Sequence, residues 1–150
     1  MMRVVVQRVH SALCRVDGEE VGSIDRGLLV FLGVGEGDGE EDVDYLVKKL
    51  VGLRVFGDEE GRMDKNIKEI SGGVLVIPQF TLYGDVSRGL RPSFDQAAPP
   101  GRAENLYRLF LEKMETEHTP VAAGKFGAMM DIRADNDGPV TVLIDSNDEF

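Results

Sequence analysis

The chain has 150 residues, 42% of them hydrophobic and 29% charged, which is typical of one soluble globular domain. Its formal net charge of −10 argues against a protein that coats nucleic acid, because such binding depends on Lys and Arg side chains that neutralise phosphates. We therefore expect no DNA partner. If the partner is RNA, we expect the protein to bind only a small, specific segment of it.

The N-terminus and the cysteine content predict where the protein acts. Arg3 and Arg8 interrupt the first apolar residues and no small-residue cleavage site follows, so the sequence predicts no signal peptide. No stretch reaches the roughly 18 apolar residues of a membrane-spanning helix, and we expect no membrane partner. A single cysteine, Cys14, cannot form an internal disulfide. These features predict a cytoplasmic protein.

Short strands are predicted to dominate the N-terminal part of the chain. β-branched or alternating residues favour strands over residues 2–9, 12–16 and 20–24, the last two joined by the turn Asp17-Gly18. The continuous apolar run over residues 28–32 predicts a strand that is buried on both faces.

The first predicted helix follows this strand. Residues 43–53 carry apolar side chains at three- and four-residue spacing, which is typical of an amphipathic helix. Asp38 and, three residues later, Glu41 are predicted to cap it. The glycine-rich residues 33–39 before it lack a Walker lysine and the dinucleotide spacing, so we interpret them as a connecting turn.

The C-terminal part is predicted to contain a strand over residues 74–77, a loop over 84–101 and a second helix over 106–114. Strands around residues 126–132 and 140–144 complete it. Consecutive strands with two main helices predict an α+β fold with a mostly antiparallel, β-barrel-like sheet instead of alternating βαβ units. We expect one domain over residues 1–150.

Residue chemistry alone supports neither a metal nor a cofactor. A calcium loop centred on Gly138 would need carboxylates where Arg133 and Ile144 stand. His10 and His118 have no second His or Cys at metal-ligand spacing, and we interpret them as surface or core residues. We predict no metal and no cofactor.

Residue chemistry also names no nucleophile. Thr81, Ser87 and Ser93 are hydroxyls in unusual settings, but each is typical of a turn or strand end that caps its own backbone. An X-Pro bond such as Gly138-Pro139 is cis in about 5–6% of folded cases, and composition does not decide between the isomers. A cis bond would aim successive carbonyls in a similar direction, where they could hold a cationic amino group.

Six motifs, in this order, closely resemble the D-aminoacyl-tRNA deacylases, and they span nearly the whole chain. They occupy residues 2–9, 53–56, 78–83, 89–94, 124–128 and 136–141. The resemblance implies a homodimer of compact β-barrel-like subunits that hydrolyses the ester between a D-amino acid and the 3′-terminal adenosine of tRNA. It also implies removal of glycine mischarged on tRNA, and sparing of L-aminoacyl-tRNA.

The resemblance assigns a role to each candidate site residue. Gly138 and Pro139 correspond to a cis dipeptide that enters the partner subunit's site, binds the substrate amino group and excludes an L side chain. Arg8 matches an arginine that holds this loop. Phe126 matches a position near the adenosine pocket, and Met129 is predicted to join the substrate-binding set.

The candidate catalytic residues are Gln79, Phe80 and Thr81. By resemblance they line the scissile ester, with backbone N–H groups forming an oxyanion hole. Thr81 is a possible nucleophile, but no base that could activate it is visible in the sequence. We therefore favour assistance by the 2′-hydroxyl of the terminal adenosine.

Two departures from the family pattern bear on rate and tRNA preference more than on reaction type. Pro78 replaces the usual serine and so removes a hydroxyl and a backbone N–H. Asp64 stands where the family commonly has asparagine, and adds a negative charge. A related animal branch with relaxed chirality and a trans Gly-Pro also has this proline, but has alanine where Phe80 stands. The remaining alternative is a non-catalytic dimeric module that binds aminoacyl-adenosine-like ligands.

Overall fold

The computed structural model describes residues 1–118 and 120–148. Within these ranges the chain forms eight strands, two α-helices and one short 3₁₀ helix. The strands are β1 (Arg3–Val16), β2 (Glu19–Ile24), β3 (Gly27–Gly33), β4 (Phe56–Gly57), β5 (Met63–Lys65), β6 (Gly73–Pro78), β7 (Val121–Ala123) and β8 (Asp131–Asp145). The helices are α1 (Glu40–Gly52), the 3₁₀ helix (Phe80–Tyr83) and α2 (Pro100–Glu117).

The main sheet curls into a nearly closed barrel. Its strand order is β2-β1-β3-β6-β7, and β8 pairs with β1 along the other edge of that strand. Strand β1 is antiparallel to β2, β3 and β8. The ends of the sheet approach closely, because a Cβ on Gly22 of β2 would lie 2.7 Å from the carbonyl oxygen of Ala123 in β7. The predicted α+β, mostly antiparallel, barrel-like fold is confirmed.

Both helices connect parallel neighbours, which differs from the prediction. Strand β6 is parallel to β3 and to β7, so α1 lies in the crossover from β3 to β6 and α2 in the crossover from β6 to β7. The sequence argument against βαβ units was therefore wrong for this half of the sheet. Strand β7 has three residues, too few to produce a readable alternation.

Three local predictions also need correction. Residues 2–9 and 12–16 belong to one strand, β1, with register shifts between Gln7 and Ser11 against β8. Residues 126–130 lie outside the strands, and β8 begins only at Asp131. The N-cap of α1 is Gly39, whose N–H donates to the Asp42 carboxylate at 2.9 Å.

Asp38 is buried instead of capping the helix. One carboxylate oxygen accepts the N–H of Gly35 at 2.6 Å, and the other lies 2.9 Å from the amino group of Met1. Burial raises the pKa of Asp38, and these two partners oppose that rise. The predicted turn over residues 33–39 thus connects β3 to α1 and anchors the start of the chain.

The core lies on both faces of the two central strands, β3 and β6. Val30 and Val76 face the layer that contains α1 and α2, whereas Leu29 and Leu75 belong to a second cluster with residues of β1 and β2. The prediction of a doubly buried strand at 28–32 is confirmed, although Phe31 remains partly exposed. Because β3, β6 and β7 are mutually parallel, their carboxyl ends meet at one edge of the sheet. None of the described helices combines the length and apolar character needed to cross a bilayer.

Candidate active site

Gln79, Phe80 and Thr81 lie together where β6 ends. The N–H of Gln79 donates to Leu32 O at 2.8 Å and so continues the β3–β6 ladder by one step. The chain then turns into the 3₁₀ helix, which leaves Phe80 58% exposed and Thr81 exposed. The side-chain amide of Gln79 donates to the Thr81 hydroxyl. The three predicted catalytic residues therefore form one segment at a strand end, in which Gln79 is half-buried and Phe80 and Thr81 are exposed.

Tyr83 anchors this segment from beneath. Its buried hydroxyl donates to Gly33 O at 3.1 Å and to Met1 O. The guanidinium of Arg3 lies 4.9 Å from the centre of the Tyr83 ring and donates to Leu82 O at 3.1 Å. Burial raises the pKa of Tyr83, so the phenol stays a neutral donor. A Cβ on Gly33 would lie 2.9 Å from the ring, which makes glycine necessary for this packing.

The loop after β7 borders the same sheet edge. Phe126 is half-buried against Tyr107, with ring centroids 6.0 Å apart. Met129 is 92% exposed. A Cβ on Gly124 would lie 2.9 Å from the Met130 sulfur and 3.4 Å from Pro78, so this loop packs directly beside the segment that carries Gln79.

Pro78 fits the sheet without leaving a carbonyl unpaired. The N–H of Gly124 donates to Val76 O at 2.9 Å, so in a parallel ladder the N–H of residue 78 would face Gly124 O. Tyr107 donates its hydroxyl to that oxygen at 3.1 Å and to Val76 O at 2.9 Å. The missing N–H of proline is therefore replaced by a side-chain donor.

Gly138 and Pro139 lie on an exposed bulge of β8. Thr141 pairs with Gln7 and Asn136 pairs with Val9, so the intervening residues of β8 bulge out opposite Arg8. The Gly138-Pro139 bond is cis, as the resemblance implies. The side-chain oxygen of Asn136 closes the bulge by accepting the N–H of Val140 at 3.0 Å.

Arg8 binds the bulge to the body of the protein. Its Nε donates to Asp137 O at 2.8 Å, and its Nη1 donates to Val55 O at 2.6 Å. The Asp137 carboxylate lies 3.4 Å from Nε, and His10 approaches the same carboxylate at 3.6 Å. Residues 53–56 were part of the sequence resemblance without an assigned role, and Val55 now has one.

The two predicted halves of the site lie on different strands and are separated along the sheet of one chain. The bulge is level with Arg8, whereas Pro78 is level with Val4, and strands β1 and β3 separate β8 from β6. With strands about 4.8 Å apart and about 3.3 Å per residue, the path along the sheet is roughly 20 Å. The structure therefore gathers Gln79, Phe80, Thr81, Phe126 and Met129 at one sheet edge and holds Arg8, Gly138 and Pro139 elsewhere.

Among the described residues, no base contacts the Thr81 hydroxyl. Thr81 receives its hydrogen bond from an amide, which cannot take up a proton. Cys14 is buried in the core, and burial followed by the charge of Asp131 raises its thiol pKa. His10 is exposed and His118 is buried against Gly72 O, as interpreted from the sequence. Across residues 1–118 and 120–148, no three His, Cys, Asp or Glu side chains group closely enough to hold a metal ion.

Sequence reasoning missed the groups that position the site. The contacts of Tyr83 with Met1, of Tyr107 with Val76 and of Arg8 with Val55 join residues that are 31 to 82 positions apart in the sequence. The separations are 82 for Tyr83 with Met1, 31 for Tyr107 with Val76 and 47 for Arg8 with Val55. The only sequence signal for these contacts is the position of Tyr83 and Tyr107 among apolar residues, where a buried phenol hydroxyl would need a hydrogen-bond partner.

Full-length relatives resemble this chain closely. It is 52% identical over 149 residues to the D-aminoacyl-tRNA deacylase of Thermotoga petrophila, covering 99% of this chain and 100% of the relative. It is 50% identical over 147 residues to the D-aminoacyl-tRNA deacylase of Aquifex aeolicus, covering 98% and 99%.

Two solved structures share the fold. One, described as a c-Myc DNA unwinding element binding protein, has a TM-score of 0.91 and 38% identity, covering 95% of this chain and 97% of that chain. The other, a probable eukaryotic D-amino acid tRNA deacylase, has a TM-score of 0.83, 18% identity, and coverage of 96% and 98%, and supports the fold alone. The family model for D-Tyr-tRNA(Tyr) deacylase matches residues 5–145. The chain therefore belongs to the D-Tyr-tRNA(Tyr) deacylase family.

Proposed function

We propose that this chain removes D-amino acids from tRNA by hydrolysing the ester to the 3′-terminal adenosine, and that it also removes glycine mischarged on tRNA. Membership in the deacylase family over residues 5–145 makes it a D-aminoacyl-tRNA deacylase. The Gln79-Phe80-Thr81 segment is the single feature that best fits this activity. We expect the protein to act in the cytoplasm, where aminoacyl-tRNA is used.

The backbone at Phe80 and Thr81 is suited to polarise an ester. Both N–H groups lie at the start of the 3₁₀ helix, where a helix leaves donors unpaired. In the part of the chain that is described, neither N–H has a hydrogen-bond acceptor, whereas the N–H groups of Gln79, Leu82 and Gly84 do. Two free donors on adjacent exposed residues can stabilise the negative charge that develops on the carbonyl oxygen during hydrolysis.

We further propose that the working unit is a homodimer with a shared site. The Gly138-Pro139 bulge lies roughly 20 Å along the sheet from its own Gln79 segment by strand spacing, with strands β1 and β3 between the two. A second copy can supply the bulge instead. In that arrangement the bulge carbonyls receive the substrate amino group and its backbone excludes an L side chain, while Phe126 and Met129 border the adenosine.

The selectivity of this site is the direct test of the function. Purified protein is expected to release D-tyrosine from D-Tyr-tRNA without added metal and to leave L-Tyr-tRNA largely intact. The measurement is acid-precipitable radiolabelled amino acid over time, with uncatalysed hydrolysis as the control. Equal hydrolysis of both substrates would contradict chiral selection. Tight binding of a D-aminoacyl-adenosine analogue without turnover would favour the non-catalytic module instead.

Replacing Thr81 by alanine distinguishes two routes of catalysis. We expect kcat to stay within about 10-fold of the wild type, because the hydroxyl has an amide donor and no base, and serine-type catalysis needs one. The 2′-hydroxyl of the terminal adenosine then assists the attack of water. Single-turnover rates on D-Tyr-tRNA measure this directly. A loss near 10⁴-fold, with an unchanged melting temperature, would make Thr81 the nucleophile.

A further inference from the structure

A short hairpin projects beside the candidate active site. Asp85 and Ser93 pair through two backbone hydrogen bonds of 2.8 and 2.9 Å, and all residues from 84 to 93 are exposed. Leu90, near its tip, is 100% exposed, so the tip stands clear of the body of the protein. The carboxylate of Asp85 accepts the N–H of Ser87 at 2.8 Å, which fixes the first turn of the hairpin.

The base of the hairpin is attached to the catalytic segment. The N–H of Gly84 donates to Thr81 O at 3.0 Å, and Phe94 packs edge-on against Phe80 with ring centroids 5.1 Å apart. A Cβ on Gly84 would lie 3.1 Å from Thr81 O and 3.3 Å from the Phe94 ring. Whatever the hairpin binds is thereby placed at a fixed position relative to the ester.

The hairpin carries two arginines, Arg88 and Arg91. Among the described residues, no carboxylate oxygen lies within 4 Å of the guanidinium of Arg88 or Arg91. Several other cations of this chain are paired with carboxylates, namely the exposed Arg54, Arg62, Lys68 and Arg108 and the partly buried Lys113. The hydrogen bonds from Ser87, and then the charge of Arg88, hold the pKa of Asp85 below its usual value. On a chain of net charge −10, two unpaired arginines beside the site are a local positive patch.

We propose that Arg88 and Arg91 bind backbone phosphates of the tRNA 3′ end and thereby hold the ester against Gln79-Phe80-Thr81. The proposal rests on the deacylase function proposed above. Arg88 is three residues from Asp85 and Arg91 is two from Ser93, so both lie within about 10 Å of the base of the hairpin. Contact with phosphates gives position and affinity without reading sequence.

The test compares two substrates that share the ester and differ in phosphates. Arg88→Gln/Arg91→Gln is expected to raise KM for D-Tyr-tRNA about 10-fold and to change kcat less than 2-fold. On D-tyrosyl-adenosine, which has no phosphate, kcat/KM stays within about 2-fold. The slope of log(kcat/KM) against log[salt] for D-Tyr-tRNA becomes shallower by about 1.5, since each released phosphate contact contributes about 0.7 to 0.9. The control Lys48→Gln/Lys49→Gln removes the same charge from the exposed surface of α1.

Each result bears on the proposal. A KM and salt slope equal to those of the lysine control would overturn it, as would equal losses on both substrates. Fluorescence anisotropy with deacylated tRNA gives a second measurement that needs no turnover, and the arginine variant should bind about 10-fold more weakly than the control. A wild type that hydrolyses neither substrate contradicts the deacylase function itself. A wild type that hydrolyses both, with an unaffected arginine variant, contradicts only the role of the hairpin.

Discussion

Gly138→Ala is expected to lower kcat/KM for D-Tyr-tRNA about 100-fold while the protein stays folded. A Cβ at this position would lie 2.1 Å from the backbone nitrogen of Val140 and 3.0 Å from the Asn136 side-chain oxygen, so the bulge must move. A displacement of about 1 Å in a substrate-positioning group can cost about 100-fold in rate. Gly138 is exposed and outside the core, so the melting temperature should change little. Hydrolysis rates and thermal unfolding of the same preparation measure both effects.

Gly52→Ala is the matched control for this substitution. A Cβ on Gly52, in the last turn of α1, meets nothing within 4 Å, and this residue should tolerate alanine with unchanged activity. The ratio of D-Tyr-tRNA to L-Tyr-tRNA hydrolysis adds information about mechanism, because a displaced bulge should also weaken the rejection of the L substrate. Wild-type rate and selectivity in Gly138→Ala would contradict the role assigned to the bulge.

Arg8→Gln is expected to reduce both stability and activity. The guanidinium makes charge-assisted hydrogen bonds to Asp137 O and Val55 O, and its side chain is only 15% exposed. Hydrogen bonds to charged groups contribute about 1.5 to 3 kcal/mol each, so we expect the free energy of unfolding to fall by about 3 kcal/mol. The bulge also loses its attachment, and kcat/KM should fall about 100-fold. Urea unfolding and D-Tyr-tRNA hydrolysis measure the two effects.

Two further variants separate position from charge. Arg8→Lys keeps the positive charge, but its ammonium group can contact only one of the two carbonyls that the guanidinium binds. This variant should therefore be more stable and more active than Arg8→Gln and less so than the wild type. His10→Gln alters the other side chain that approaches the Asp137 carboxylate. The imidazole of His10 is 66% exposed and lies 3.6 Å from that carboxylate, so the substitution should change stability and activity little. If His10→Gln were as damaging as Arg8→Gln, or if Arg8→Gln were silent, the anchoring role of Arg8 would be wrong.

These substitutions act on a site whose protein groups position and polarise the substrate ester and take little part in the bond changes themselves. Phe80 and Thr81 offer backbone donors, Arg8 holds the bulge, and Tyr83 holds the 3₁₀ helix. None of these contacts involves a side chain that must change its protonation state. We therefore expect activity to tolerate changes of side-chain chemistry at Thr81 better than changes of backbone position at Gly138.

Local pattern was sufficient for much of the fold. The apolar run at 28–32 predicted a doubly buried strand, and the three- and four-residue spacing at 43–53 and 106–114 predicted the two helices. The motifs at 78–83 and 136–141 indicated the family, which the comparisons confirm. These features can be predicted because residues close in sequence determine them. Their side chains repeat every 3.6 residues in a helix and every 2 residues in a strand.

Strand pairing and the composition of the site required the tertiary structure. That β6 lies parallel to β3 and β7, and that β1 continues through residues 10 and 11, depends on partners that no local pattern names. The exposed hairpin that carries Arg88 and Arg91 likewise depends on the pairing of Asp85 with Ser93, which the predicted loop over residues 84–101 did not contain. Periodicity records which face of an element is buried, whereas the identity of the partner depends on long-range contacts. Those contacts set the roughly 20 Å path between Gly138-Pro139 and Gln79, by strand spacing, and thus the reason for proposing a second subunit.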